Sequence, residues 1–203
     1  VMGQGVIWYT GQFYSMSFMQ KVMNIESAQV DTMMALALFV ATPLFVLFGW
    51  LSDKIGRKPI MMIGMLLAII AYRPIYKAMY NSVKIESKVV AKNGLTEKRT
   101  VKVHAKIPTD SLITFHQEKI FTDGTVMKKD SIVHWAAAGP SMVNGKPEEP
   151  LIKEAITVNP DTRWLLIVLV FIQVVFVTMV YGPIAAFLVE MFPLKIRYTS
   201  MSL

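Results

Sequence analysis

The chain has 203 residues, 54% of them hydrophobic, with 15 Met, a mean hydropathy of +0.45 and a formal net charge of +7. That is too apolar for an ordinary soluble domain of this size, so a bilayer is the expected solvent. With no Cys, disulfides and thiolate metal sites are excluded. A nucleic-acid reader is disfavoured too, because its basic residues would gather on one soluble face, and here they are scattered or flank apolar runs.

Four stretches approach the roughly 20 apolar residues needed to cross a bilayer as helix. The first, Val1 to about Val22, is the least apolar and carries Gln4, Gln12, Gln20 and several aromatics. It opens without a basic leader region or a small-residue cleavage site, and the chain stops inside another apolar pattern at Ser200 to Leu203, so the sequence reads as an internal fragment. A short polar loop, Met23 to Asp31, leads to the cleanest stretch, Thr32 to Leu51, which has no charge in it. The turn Ser52 to Pro59 is short and basic. Ile60 to about Tyr80 begins as IMMIGMLLAIIAY and then meets Arg73, Pro74 and Lys77. Arg73 lies near one end of its run, where its long stem can snorkel to the headgroups, the alternative being an anion site.

The segment Asn81 to Arg163 reads as a second domain. Val83, Ile85 and Val89, then Val101, Val103, Ala105 and Ile107, alternate at strand period. They flank Asn93-Gly94, a tight-hairpin signal, and a second hairpin is expected from Leu112 to Val133 around Asp123-Gly124. Trp164 to about Met191 is the last apolar run, long enough to tilt or kink, with Gly182-Pro183 as the expected kink site. Short basic loops prefer the cytoplasm, so Lys54, Arg57 and Lys58 place Ser52 to Pro59 inside. Alternation then puts Met23 to Asp31 and Asn81 to Arg163 outside. Lys195 and Arg197 fall inside independently.

The turn itself reads GWLSDKIGRKP over residues 49 to 59. Gly49 and Gly56 permit close backbone approach or unusual φ, Asp53 can cap a helix, and Arg57 can clamp a carboxylate. Glu190, at the edge of the last apolar run, is expensive there unless paired. The expected pairs are Glu190 with Arg57 and Asp53 with Arg197, a cytoplasmic latch. The simpler reading is a surface turn whose basic residues only set topology.

GWLSDKIGRKP resembles the signature loop of the major facilitator superfamily, with Gly49, Leu51, Asp53, Lys54, Gly56, Arg57 and Lys58 matching its pattern. GPIAAFLVEMFPLKIRYTSMSL is similar to that superfamily's tenth-helix signature through Glu190, Pro193 and Arg197. WYTGQFYSMSFMQ together with RYTS looks most like the metabolite:proton symporter branch, whose members carry organic acids, shikimate-like compounds, betaine or proline. The resemblance implies an all-α transmembrane helix bundle, the partial C-terminal half of such a transporter, with a small β-rich extramembrane insert. Residues 1–80 would then be helices seven to nine, 81–163 the extracytoplasmic insert, and 164–203 helix ten with the start of eleven.

By the same resemblance the chain is an integral protein of the plasma or inner membrane that moves a small polar metabolite by proton symport with alternating access, partnered by the preceding half of the transporter. Gly49, Asp53, Lys54, Gly56, Arg57, Lys58, Glu190 and Arg197 would govern the conformational equilibrium. Candidate cavity residues are Tyr9, Gln12, Phe13, Tyr14 and Gln173, polar or aromatic groups within apolar spans; for any one of them an interhelical hydrogen bond is an equal alternative.

His104, His116 and His134 lack metal-ligand spacing, and no phosphate loop or nucleophile elbow appears, so neither an enzyme nor a cofactor is expected. The rival reading makes the insert a recognition module anchored by the helices, with an edge strand such as Thr100 to Ile107 pairing with a partner chain.

Overall fold

The computed structural model of the chain describes residues 2–84, 89–103, 111–136, 139–140, 142–143, 146–147 and 151–191. It divides into two compact units, Val1–Val22 with Ser27–Val83 and Asp161–Leu203, and Met23–Glu26 with Lys84–Pro160.

The first unit is helical. Its opening stretch changes pitch repeatedly: α1 (Met2–Trp8), a π-helical segment Tyr9–Tyr14, α2 (Ser15–Ser17) and a second π-helical segment Phe18–Val22. Two long helices follow, α3 (Ser27–Ile55) and α4 (Arg57–Val83), then α5 (Pro160–Tyr181) and α6 (Ile184–Met191). The helices are longer than their apolar runs because polar residues such as Asp31, Asp53 and Lys54 continue the backbone ladder beyond the greasy part. Pro43 and Pro74 sit inside α3 and α4 without ending them.

Ser27–Ile55, Arg57–Val83 and the run Pro160–Glu190 are long and apolar enough to cross a membrane. Half of the apolar window of the last is buried, against 17% and 28% for the other two. Glycines make that packing close. A Cβ at Gly64 would lie 2.9 Å from Met179 Cβ, and one at Gly11 3.0 Å from Val177 Cγ2, so both glycines let a neighbouring helix approach α5.

The second unit is an antiparallel sheet. Strand β1 (Val90–Val103) pairs with β2 (Ser111–Phe121), and β2 with β3 (Val126–Ala136). The other edge of β3 takes β4 (Gly139–Pro140) at one end and β7 (Leu151–Thr157) along most of its length, while β5 (Met142–Val143) and β6 (Lys146–Pro147) form a separate two-stranded pair. Polar side chains meet across the strands: Lys129 pairs with Glu154 at 3.0 Å, and His116 Nδ1 is hydrogen-bonded to Asp130 Oδ1 at 2.8 Å.

The hairpin expected around Asp123-Gly124 is present. Gly124 has φ +82°, and the Asp123 carboxylate accepts from Thr125 N and Thr125 Oγ1, each at 3.0 Å. The four residues Met23–Glu26 close the free side of β7: Ile156 N donates to Asn24 O at 2.7 Å, and Glu26 N donates to Ile156 O at 3.0 Å. Thr157 Oγ1 adds a bond to the Glu26 carboxylate at 2.9 Å.

Three expectations are corrected here. The chain is not an all-α bundle of the major facilitator kind: its described helices make only four rods, beside a five-stranded antiparallel sheet. The motifs behind that expectation are local features of one helix turn and one helix end, and they do not count helices. Asn93-Gly94 is not a hairpin. It lies inside β1 at a register shift, where Val90 pairs with Phe121 and Leu95 with Lys119. Gly94 is needed there because a Cβ would collide with Ile120 O. Val83, read as strand, ends α4.

Candidate functional site

The charged turn is built by a helix break. Gly56 has φ +108°, a conformation glycine adopts readily, and its N–H donates to Ser52 O at 2.9 Å, which terminates α3. The buried Ser52 hydroxyl donates to Gly49 O at 2.6 Å and holds the last turn of that helix. Pro59 falls in the first turn of α4, where its missing N–H has no helical partner to lose. Asp53 and Arg57 therefore face each other across the break, with Arg57 Nη2 3.3 Å from Asp53 Oδ1.

The second partner comes from α6. Gly182 and Pro183 separate α5 from α6, with Gly182 N donating to Thr178 O and Phe187 N to Pro183 O, each at 2.9 Å. This break lies against α3: a Cβ on Gly182 would sit 3.0 Å from Phe45 O and 3.2 Å from Gly49 N, so the glycine lets the two backbones come close. From there α6 carries Glu190 to the turn, where Arg57 Nη1 meets Glu190 Oε1 at 2.9 Å. Arg57 is thus bridged between two carboxylates from different elements. Its side chain is 21% exposed, against 60% for Glu190 and 63% for Asp53. A pair this open to solvent contributes about 0–1 kcal/mol, so it can form and break readily.

Lys54 lies beside this pair with Nζ 3.9 Å from the centre of the Trp50 ring, a cation–π contact, and Lys58 is exposed. Arg197 and Pro193 lie outside the described residues, and with them the expected pairing of Asp53 with Arg197; the carboxylate of Asp53 meets Arg57 instead.

The five candidate cavity residues do not converge. Tyr9, Phe13 and Tyr14 are each more than half exposed. Tyr9 and Phe13 pack edge-on against Trp8 at 5.2 Å, and Tyr14 packs against Tyr76 at 5.2 Å. Gln12 is half-buried. Gln173, by contrast, is fully buried, and Ser15 Oγ donates to its Oε1 at 2.6 Å. Around it Tyr76 Oη donates to Thr10 O at 2.6 Å and Tyr72 Oη to Ile7 O at 3.1 Å.

The sequence reading passed over Ser15, Tyr72 and Tyr76. A usable signal was there: two tyrosines four residues apart lie on one helix face, and buried phenols need partners for their hydroxyls. Arg73 and Lys77 are both exposed. Among the described residues no group of three His, Cys, Asp or Glu side chains is placed to hold a metal ion. His116 is engaged with Asp130, and His104 lies outside the described residues.

Compared with known proteins, the chain matches no family model, no curated protein and no solved structure.

Proposed function

We propose that the chain is part of a secondary transporter for a small polar metabolite, in which Arg57, Asp53 and Glu190 form a latch that closes one membrane face and releases it in the alternate state. The observation that carries this reading is the 2.9 Å contact between Arg57 and Glu190, which ties the α3–α4 turn to the end of the last apolar run. A topology signal alone would need only the basic residues. Two carboxylates on one guanidinium, at a helix junction that glycines keep close, suit an element with two arrangements. The quoted motif residues support the same reading through their resemblance to a transporter signature. Under the positive-inside rule the latch faces the cytoplasm.

The test is uptake by proteoliposomes that hold the full-length transporter, this chain together with its preceding half, presented with labelled organic acids and betaine-like solutes, with and without an imposed inward proton gradient. Gradient-driven accumulation of one solute is the expected result. Glu190→Gln should then reduce uptake by about two- to fivefold while equilibrium binding is unchanged, because the exposed pair, worth about 0–1 kcal/mol, biases conformation without touching solute. Loss of binding with unchanged conformational populations would remove the latch from the mechanism, and binding without accumulation would end the transporter reading.

One observation favours a second reading. The outer edge of β1 has no paired strand among the described residues, so the sheet could accept an extended partner chain. Deletion of residues 84–160 from the chain decides between the two: retained uptake makes the sheet accessory, and lost uptake with helices intact makes it the working part.

A further inference from the structure

The outward stripe of α4 changes character part-way along. Met62, Leu66, Ile69 and Ile70 are 56%, 59%, 78% and 64% exposed, and the same three- and four-residue spacing continues through Arg73, Lys77 and Tyr80, all exposed. The opposite series, Ile60, Gly64, Ala68, Ile75, Met79 and Val83, is buried. Arg73 and Lys77 therefore lie about one helical turn apart on the face that α4 turns to its surroundings. Among the described residues neither meets a carboxylate or any hydrogen-bond partner.

The acids of the helical unit are engaged or placed elsewhere. They are Asp31, Asp53, Asp161 and Glu190. Asp53 and Glu190 hold Arg57, Asp31 accepts from Gln20 Nε2 at 3.4 Å, and Asp161 stands in the first turn of α5.

Depth makes the two cations unusual. A helix rises about 1.5 Å per residue, so Arg73 lies about 20 Å along α4 from Ile60, inside a hydrocarbon layer of about 30 Å, and about 10 Å short of Tyr80. Helical side chains lean toward the N-terminus of their helix, so the Arg73 stem leans toward the bilayer centre and away from the nearer surface. Snorkelling is therefore short of reach here, and a cation left at that depth facing lipid needs an anion brought to it.

We propose that Arg73 and Lys77 hold the phosphate of one anionic phospholipid, drawn below the headgroup plane in the leaflet at the Val83 end of α4. The guanidinium fork takes two phosphate oxygens and the Lys77 ammonium adds a point charge. The acyl chains lie along Leu66, Ile69 and Ile70, and Tyr80 stands at headgroup level. The apolar residues that continue the stripe are what make a lipid, rather than a free anion, the fitting occupant. An anionic lipid is favoured over a zwitterionic one because a choline group would bring a third positive charge to the pair. The inference rests on α4 spanning a bilayer, which the transport reading above shares, and not on transport itself.

The test is native mass spectrometry of the full chain released from detergent micelles that contain phosphatidylglycerol and phosphatidylcholine in equal amounts. One phosphatidylglycerol should be retained, with a preference of roughly fivefold or more over phosphatidylcholine, and a large excess of inorganic phosphate should not displace it. Arg73→Gln and Lys77→Gln should each lower the preference roughly fivefold, while Lys21→Gln, at an exposed lysine of the first stretch, leaves it unchanged. Arg73→Leu, which only lengthens the apolar stripe, takes the place of Arg73→Gln should that variant fold poorly. Equal retention of the two lipids would overturn the site, as would displacement by inorganic phosphate or an equal loss in Lys21→Gln. An adduct that vanishes once the preceding half of the transporter is joined to the chain overturns it too, by handing both cations to that half. Recovery of the chain in the soluble fraction ends the spanning reading, whereas recovery in the membrane without a lipid preference removes the lipid site alone.

Discussion

In the helical unit Phe39, Val46 and Ile69 are 80%, 77% and 78% exposed, while Ser15, Gln173 and Thr178 are fully buried. In the sheet unit Phe121 and Ile156 are buried and the Lys129–Glu154 and His116–Asp130 pairs stand partly exposed across the strands, but Leu95, Leu151 and Ile152 are exposed as well. An outward apolar face is stable only where the solvent is apolar, and an outward charged face only where it is water. The helical unit thus turns apolar side chains outward over helices long and apolar enough to cross a membrane, whereas the sheet unit's outward residues mix apolar and charged side chains. In the helical unit the close contacts at Gly11, Gly64 and Gly182 and the Ser15–Gln173 bond join the helices. In the sheet unit, cross-strand pairs and the Asp123 turn do that work.

The substitution expected to act most strongly on this contrast is Ile69→Arg, near the middle of α4. On the bilayer scale a central arginine costs roughly 3–4 kcal/mol relative to isoleucine, so the variant should be largely lost from the membrane fraction. On an exposed surface in water the same change would stay within about 0.5 kcal/mol, and full membrane recovery with an unchanged unfolding midpoint would break the comparison.

A middle-sized effect is expected at the sheet's turn. Gly124→Val forces a β-branched residue to φ +82°, at a cost of about 1–2 kcal/mol, read as faster amide exchange between Phe121 and Val126 with the helical amides unchanged. The smallest concerns Lys129→Ala, which removes the pair with Glu154 and should cost about 0.2–1 kcal/mol in low salt and almost nothing in 1 M salt. A salt-independent loss there would mean that the lysine stem, not its charge, matters.

Some of this was legible from the sequence. The uncharged run Thr32 to Leu51, the run from Ile60 and the run from Trp164 each lie inside a helix of membrane length, because twenty apolar residues have few other stable arrangements. Gly56 and Gly182-Pro183 mark helix breaks for reasons of backbone freedom that a single residue carries. The pairing of Glu190 with Arg57 could be anticipated because an acid at a span's edge needs a cation and the turn offered one. Asn93-Gly94 misled: the two residues satisfy a hairpin by themselves, but β1 runs on to Val103 because β2 offers it a continuous partner.

What the sequence determined by itself is the material of each segment: which runs are greasy enough to be spanning helices, which alternate as strands, where glycine lets the chain turn, and the absence of Cys. These are properties of neighbouring residues, fixed by side-chain chemistry and local sterics. Only the tertiary structure decided the fold class, the closure of β7 by Met23–Glu26, the use of Gly11 and Gly64 as close contacts, and the meeting of Thr10, Ser15, Tyr76 and Gln173. Each depends on groups far apart in the chain, up to 158 positions for Ser15 and Gln173, and no local pattern records which distant oxygen a buried hydroxyl will find.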